Sequence, residues 1–317
     1  MRKVASLTAL ILALIVIAFV APALPAQQPA TTSDAVRVTV TVRGTKENPN
    51  PVLTKDDIVV LQDKDKRPVI DWVPGKDDPA GMDLAVVVDD SVDPSVGTNL
   101  SDLAQFVRSQ PANARVAIIY ATLSTAQTLV NFTSDHEAAA KALRLPLGSF
   151  NSPGSVFLAL SDLISRWKGT QTRRAILLVS DGIDTFYGIS ESSPALNPSL
   201  QTTINKAQRA GINIYSIFAS GGGHFRHSLY LVNNGQSCLS RLADETGGEA
   251  FFQGLQTPIS FKPFLDEQND IFGRQYILTF RAAPGKKAGL KRLRLRTEQH
   301  GVELQAQDYV WIPAAAQ

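Results

Sequence analysis

The chain shows two kinds of hydrophobic pattern, an alternating one near both ends and a continuous one in the middle. The valines of residues 36–42 alternate with polar residues, which is typical of a strand with one buried face. Runs such as 84–88 and 116–120 consist of aliphatic residues and one tyrosine, which is typical of strands buried on both faces of a parallel sheet. The pattern therefore predicts half-exposed β units around a covered parallel sheet.

The middle region alternates these buried strands with patterns of helical spacing. Its predicted strands are 84–88, 116–120, 175–179 and 212–217, and its predicted helices are 100–107, 156–167, 200–210, 238–246 and 258–272. Such alternation predicts an α/β domain with a doubly wound, mostly parallel sheet flanked by helices. We place this domain at residues 83–272.

The two flanking regions carry short strand patterns separated by turns. An N-terminal β unit is predicted at residues 36–75 and a C-terminal β unit at 274–312. We expect the two units to pair into one small β-sandwich-like unit, with the α/β domain inserted between them.

The first residues follow the plan of a secretory signal peptide. Arg2 and Lys3 precede an apolar run over residues 9–21, and prolines and small alanines follow it. We predict a signal peptide over residues 1–26 and a secreted or periplasmic protein. The alternative is an uncleaved N-terminal anchor, although the run is short against the roughly 20 apolar residues of a membrane span.

The charge of the chain excludes one class of partner. Removing residues 1–26 takes away two of the 31 basic side chains and none of the 29 acidic ones, so the mature chain is formally neutral. Nucleic-acid binding is therefore not expected, because it requires a basic surface. The single cysteine, Cys238, excludes an intrachain disulfide and is predicted to be a small buried hydrophobic residue.

Polar clusters follow two of the buried strands. The sequence DDSVD covers residues 89–93, and SDGID covers 180–184, while Gly154 and Ser155 form a turn before a helix. Ligands of open α/β sheets bind beyond the carboxyl ends of the strands, so these clusters are candidates for one site. Ligand sets made only of oxygen suit Mg²⁺, Mn²⁺ or Ca²⁺.

These motifs resemble those of the von Willebrand factor type A family. Residues 89–93 fit an Asp-x-Ser-x-Ser motif at two of three positions, and Gly154–Ser155 stands where the family has Gly-Thr. Residues 181–182 fit the Asp-Gly motif, and residues 242–248 resemble a late Leu-Ala-x-x-Thr-Gly-Gly segment. The resemblance covers residues 83–272, and more loosely 36–312, where the layout is similar to exported bacterial proteins of acidobacterial type.

The resemblance implies a metal-ion-dependent adhesion site for a divalent cation, Mg²⁺, Mn²⁺ or Ca²⁺. Its implied ligands are Asp89, Ser91, Asp93, Ser155 and Asp181. It implies no organic cofactor and no catalytic residue.

Asp93 departs from the family motif, because it stands in place of the third serine. We hypothesise that its charge favours Ca²⁺ or Mn²⁺ and weakens capture of acidic partner groups, with Asp90 and Asp184 adding negative potential. The alternative is a vestigial site, in which Ser91 caps a turn and Asp89 binds backbone amides.

The favoured function is that of an exported, non-enzymatic binding protein that engages a protein or polysaccharide through the metal. A structural or assembly scaffold with an inert metal site is the second interpretation. A hydrolase is the least favoured, because G-x-S-x-G, H-E-x-x-H and phosphate-loop motifs are missing from the sequence. The long loop 183–198 is a candidate partner contact, and His224 and His227 are interpreted as surface-loop residues.

Overall fold

The computed structural model describes residues 34–46, 48–49, 51–148, 154–169, 172–223 and 227–315. The predicted signal peptide 1–26, part of the turn before Gly154, and His224 lie outside the described residues.

The predicted strands and helices occur in the expected order, and further short elements lie between them. The strands are β1 (Ala35–Gly44), β2 (Val59–Gln62), β3 (Asp65–Arg67), β4 (Val69–Pro74), β5 (Met82–Asp89), β6 (Ala114–Thr122), β7 (Thr125–Thr133), β8 (Arg173–Ser180), β9 (Ile212–Phe218), β10 (Ala250–Phe251), β11 (Gln275–Arg281), β12 (Gly289–Arg296), β13 (Val302–Gln305) and β14 (Tyr309–Ile312). The helices are α1 (Leu100–Arg108), α2 (His136–Lys141), α3 (Val156–Arg166), α4 (Pro198–Ala210), α5 (Leu229–Thr246) and α6 (Lys262–Gly273).

A six-stranded sheet forms the centre of the α/β domain, in the order β10-β9-β8-β5-β6-β7. All neighbouring strands are parallel except β6 and β7, which form an antiparallel hairpin. Alternate residues of β5 face opposite cores, one shared with α1, α2 and α6 and the other with α3, α4 and α5. The predicted doubly wound, mostly parallel α/β fold is confirmed.

The flanking segments pair as expected into two antiparallel sheets, β13-β1-β11-β4 and β14-β12-β2-β3. Strand β1 pairs with β11 over seven residues, and β2 pairs with β12, so each sheet joins N-terminal and C-terminal chain. Buried residues of both sheets, among them Val40, Val60 and Phe280, form one core between them. This confirms the β-sandwich-like unit built from both ends of the chain.

Several features differ from the sequence-based expectation, and the short strands β3, β10 and β13 are among the elements that were not predicted. Strand β7 and the six-residue helix α2 were not predicted, because β7 is a largely exposed edge strand without a clear apolar face. Helix α5 begins at Leu229, nine residues before the predicted start. Its first half contains two Asn residues and a Gly residue, which have low helix propensity, so the sequence pattern did not indicate a helix there. It ends as predicted at Gly247, which adopts a left-handed φ of 76°.

One further prediction concerns a single residue. Cys238 is fully buried in the core beside α3 and α4, as predicted, and burial raises the pKa of its thiol to about 12. Within the described part of the chain, no helix is long and apolar enough to cross a bilayer.

Candidate metal site at the carboxyl edge of the sheet

The two carboxylates of the predicted motifs lie at the ends of neighbouring parallel strands. Asp89 is the last residue of β5, and Asp181 follows the last residue of β8. Only 5% of Asp89 and 6% of Asp181 is exposed. We call the segments 89–93, 181–184 and 219–222 the carboxyl edge, because the parallel strands end there.

Hydroxyl and amide groups hold both carboxylates in place. Oδ1 of Asp89 accepts hydrogen bonds from the backbone N (2.9 Å) and the Oγ (2.7 Å) of Ser91, and Oδ2 accepts one from Ser180 Oγ at 2.7 Å. Oδ1 of Asp181 accepts from the backbone N of Ile183 at 2.8 Å. Neither carboxylate forms an ion pair with a described Lys, Arg or His side chain, so no described cation balances their charge.

The pKa values of both carboxylates are raised in the folded protein. Burial raises the pKa of Asp89, against the effect of the hydrogen bonds from Ser91 and Ser180. Burial also raises the pKa of Asp181 well above its ordinary value, and the nearby charge of Asp89 raises it further. A cation placed between two such carboxylates would reverse both effects.

The loop after β9 closes the carboxyl edge against Asp181. The backbone N of Asp93 donates to Ser220 O, and the backbone N of Gly222 donates to Ser91 O, each at 2.8 Å. A Cβ atom at Gly221 would lie 1.9 Å from Asp181 Oδ2, so only glycine allows the loop to pack here. Gly221 belongs to a Gly-Gly-Gly run. This run was visible in the sequence, but its segment was interpreted as a surface loop and was not assigned to the candidate site.

Asp90 forms an ion pair with Arg144. Arg144 donates to both of its oxygens, at 2.7 and 2.9 Å, and Thr122 Oγ1 donates at 2.6 Å. Burial disfavours the charged form of Asp90, but these hydrogen bonds and the charge of Arg144 lower its pKa overall. The negative potential expected from Asp90 is therefore largely offset by Arg144, whose role no sequence motif indicated.

Ser155 is buried and bonded to the second acidic residue of the SDGID segment. Its Oγ donates to Asp184 Oδ2 at 2.6 Å and accepts from the backbone N of Leu158 at 3.2 Å, which makes Ser155 the N-cap of α3. Its own backbone N donates to Ser124 Oγ at 2.9 Å, in the tight β6–β7 turn. Ser155 is thus fixed between α3 and the loop after β8, and its role as a metal ligand stays a prediction.

Asp93 lies at the start of a 3-10 helix, Pro94–Asn99. Its Oδ1 accepts from the backbone N of Ser95 at 2.9 Å, so this carboxylate caps the helix. Its proposed part in metal binding stays a prediction as well.

The donor set fits a hard divalent cation in its chemistry. Among the described residues, no group of three or more His, Cys, Asp or Glu side chains is arranged to hold a metal. The carboxyl edge instead offers two buried carboxylates, Asp89 and Asp181, with the hydroxyl of Ser91 beside them. Carboxylate and hydroxyl oxygens suit Mg²⁺, Mn²⁺ or Ca²⁺, which also retain water ligands.

Comparison with known proteins finds solved structures with a similar fold. No protein-family model and no curated protein matches the sequence. The chain is similar to an aerotolerance-related membrane protein from Bacteroides fragilis NCTC 9343, with 13% identity, a TM-score of 0.43, and coverage of 61% of this chain and 98% of that one. It is also similar to the vWF domain of the type V pili tip protein Mfa5 from Porphyromonas gingivalis, with 13% identity, a TM-score of 0.40, and coverage of 61% and 94%.

A third similar structure is the ArnB paralog VWA2 from Sulfolobus acidocaldarius, with 10% identity, a TM-score of 0.38, and coverage of 89% of this chain and 76% of that one. The α/β domain is similar to von Willebrand factor type A domains. These likenesses agree with the family resemblance of the sequence motifs, and they concern the fold alone.

Proposed function

We propose that the chain is an exported, non-enzymatic binding protein that holds a divalent cation at its carboxyl edge and engages a partner there. The observation that carries the proposal is the pair Asp89 and Asp181, two buried carboxylates on adjacent strands without a described cationic side chain to balance them. Two unbalanced buried charges of one sign are costly, and a bound cation removes that cost.

The residues around the pair have separate roles in this proposal. Asp89 and Asp181 supply the negative charge, and Ser91 supplies a neutral oxygen. Ser180 orients Asp89 from the neighbouring strand through its 2.7 Å hydrogen bond. The cation, when bound, offers a site for an oxygen atom of the partner. Few carboxylates surround it, so it keeps enough positive charge to attract that oxygen.

The loop 183–198 supplies a contact surface next to this site. Its side chains Phe186, Tyr187 and Ile189 are between 43% and 55% exposed, and the rings of Phe186 and Tyr187 pack edge to face at 5.0 Å. Exposed aromatic residues near a polar site are typical of surfaces that bind proteins or polysaccharides. We propose that this loop contacts the partner whose oxygen reaches the metal.

A scaffold with an inert site is the second candidate, and one observation favours it. Ser155 Oγ is already occupied by Asp184 and by the first turn of α3, so metal coordination would require Ser155 to exchange these bonds. In that case the fold would present its loops to a partner without a cation.

Calorimetric titration of the chain with Mg²⁺, Mn²⁺ and Ca²⁺ separates the two candidates. We expect saturable binding of at least one cation at a stoichiometry of one, and its loss in Asp181→Ala. Asp266→Ala is the matched control, because Asp266 lies exposed on α6 in an ion pair with Lys262. Absence of binding in the wild type, or equal binding by Asp181→Ala, would support the inert scaffold instead.

A further inference from the structure

The opposite end of the central sheet contains two arginines, Arg173 and Arg174, that form no ion pair within the described residues. Arg173 and Arg174 are the first two residues of β8, where the α/β domain packs on the sheet that contains β1 and β11. Arg173 is 8% exposed. We call Arg37, Thr39, Arg173, Arg174 and Ile277, which surround a small cavity at this junction, the arginine junction.

Neutral groups are the hydrogen-bond partners of these two arginines. Nη1 of Arg173 donates to Gln275 Oε1 at 2.7 Å, and Arg174 donates to the carbonyl of Ala210. Nε of Arg173 is buried and has no hydrogen-bond partner. Within the described residues, neither side chain forms an ion pair. Burial lowers the pKa of both guanidinium groups, and the charges of Asp78 near Arg173 and of Asp83 near Arg174 oppose this effect only in part.

The acidic residues nearest to the arginine junction are already engaged. Asp78 accepts from Arg37 at 2.9 Å and from the backbone N of Ala80 at 3.1 Å. Asp83 accepts two hydrogen bonds from Arg115, at 2.8 and 2.7 Å. The junction therefore keeps an excess of positive charge.

The cavity beside these arginines is small, with a volume of about 110 Å³, which leaves room for a small ion. Arg173 is held in place by the hydrogen bond from its Nη1 to Gln275 Oε1 at 2.7 Å, and it packs closely against Gly75. A fixed guanidinium binds the oxygens of phosphate, sulfate or a carboxylate with paired hydrogen bonds.

We propose that the arginine junction binds a tetrahedral oxyanion, inorganic phosphate or sulfate, between the α/β domain and the β-sandwich-like unit. Three arginines and Thr39 are among the residues that line the cavity, and the anion supplies the charge that Asp78 and Asp83 cannot. Because the ion contacts both structural units, its binding stabilises their packing. This site is independent of the metal at the carboxyl edge.

The test is titration of the full-length chain with sodium phosphate, sodium sulfate and sodium acetate, against sodium chloride of equal ionic strength. Calorimetry gives the dissociation constant, and thermal unfolding gives the shift in Tm. We expect phosphate or sulfate to bind with a dissociation constant below about 1 mM and to raise Tm in a saturable way. Binding by acetate alone would overturn the tetrahedral assignment, and equal Tm shifts in all salts would overturn the site.

Matched variants assign the binding to the arginine junction. Arg174→Gln should weaken phosphate binding at least 10-fold, and Arg37→Gln should weaken it as well. Arg294→Gln, at an exposed position of β12 in the other sheet of the sandwich, should leave it unchanged. If Arg174→Gln fails to fold, Arg37→Gln decides. Wild-type affinity in every folded junction variant contradicts the proposal.

Discussion

The two ends of the central sheet differ in the sign of the charge that they hold. At the carboxyl edge, Asp89 and Asp181 are buried and form no ion pair with a described side chain. At the arginine junction, neither Arg173 nor Arg174 forms an ion pair within the described residues. Asp83, in contrast, is buried and paired with Arg115. The proposed cation and anion sites both lie where the charges are unpaired, whereas the paired groups stabilise the fold.

The largest effect should follow from breaking a pair that serves the fold. Asp90 is fully buried, and its partner Arg144 is about one-third exposed. We expect Asp90→Ala to lower the free energy of unfolding by about 2–4 kcal/mol, somewhat less than for a fully buried pair. Chemical denaturation measures this loss. Arg108→Ala, which breaks the exposed pair with Glu137, should cost much less, because solvent screens both charges. Equal losses in the two variants would remove the distinction.

A smaller effect of opposite sign should follow at the carboxyl edge. Burial raises the pKa of Asp181, so its ionised form disfavours the folded state as the pH rises above the ordinary value of 3.8. We therefore expect Asp181→Asn to stabilise the metal-free chain at pH 7 and to have little effect near pH 3. Each gain of 1 kcal/mol corresponds to a rise in Tm of about 2–4 °C. A lower Tm at pH 7 would show that the Asp181 charge supports the fold.

Cation affinity should depend on pH through the same two carboxylates. Both have raised pKa values because they are buried, and both must be ionised to bind a metal. We expect affinity for Mg²⁺ or Mn²⁺ to rise with pH and binding to release protons. Titration in two buffers of different ionisation enthalpy measures that release. Affinity that is independent of pH between 5 and 8, with no proton release, would assign binding to other groups.

The smallest effect concerns the residue that departs from the family motif. Asp93→Ser should strengthen binding of an acidic peptide in the presence of Mg²⁺ by a few-fold, because a nearby negative charge is removed. Fluorescence anisotropy of a labelled glutamate-containing peptide measures this change. Since Asp93 also caps a 3-10 helix, serine keeps the capping function and limits the loss of stability. Unchanged or weaker binding would count against the hypothesis.

The sequence predicts the fold better than the balance of charge within it. The buried runs of β5, β6, β8 and β9 are visible because a parallel sheet covered on both faces needs continuous apolar strands. The edge strand β7 escapes prediction, because its burial pattern is mixed. The local pattern of apolar residues predicts local structure, and this prediction is weakest for a strand that is largely exposed.

The partners of charged residues are set by contacts distant in sequence. Asp90 and Arg144 are 54 residues apart, and Arg173 and Gln275 are 102 apart. The motifs and the predicted strand ends placed Asp89, Ser91 and Asp181 at one edge of the sheet. It did not reveal that Asp90 turns toward Arg144, or that Ser155 binds Asp184. These choices depend on which side chains the fold places together.

The most direct test of the account is anomalous diffraction from crystals of the chain grown with Mn²⁺. We expect one strong anomalous peak at the carboxyl edge, with oxygens of Asp89 or Asp181, directly or through water, around it at about 2.0–2.6 Å. A peak elsewhere, or an empty edge at saturating Mn²⁺, would contradict the claim that these two carboxylates are buried in order to hold a cation.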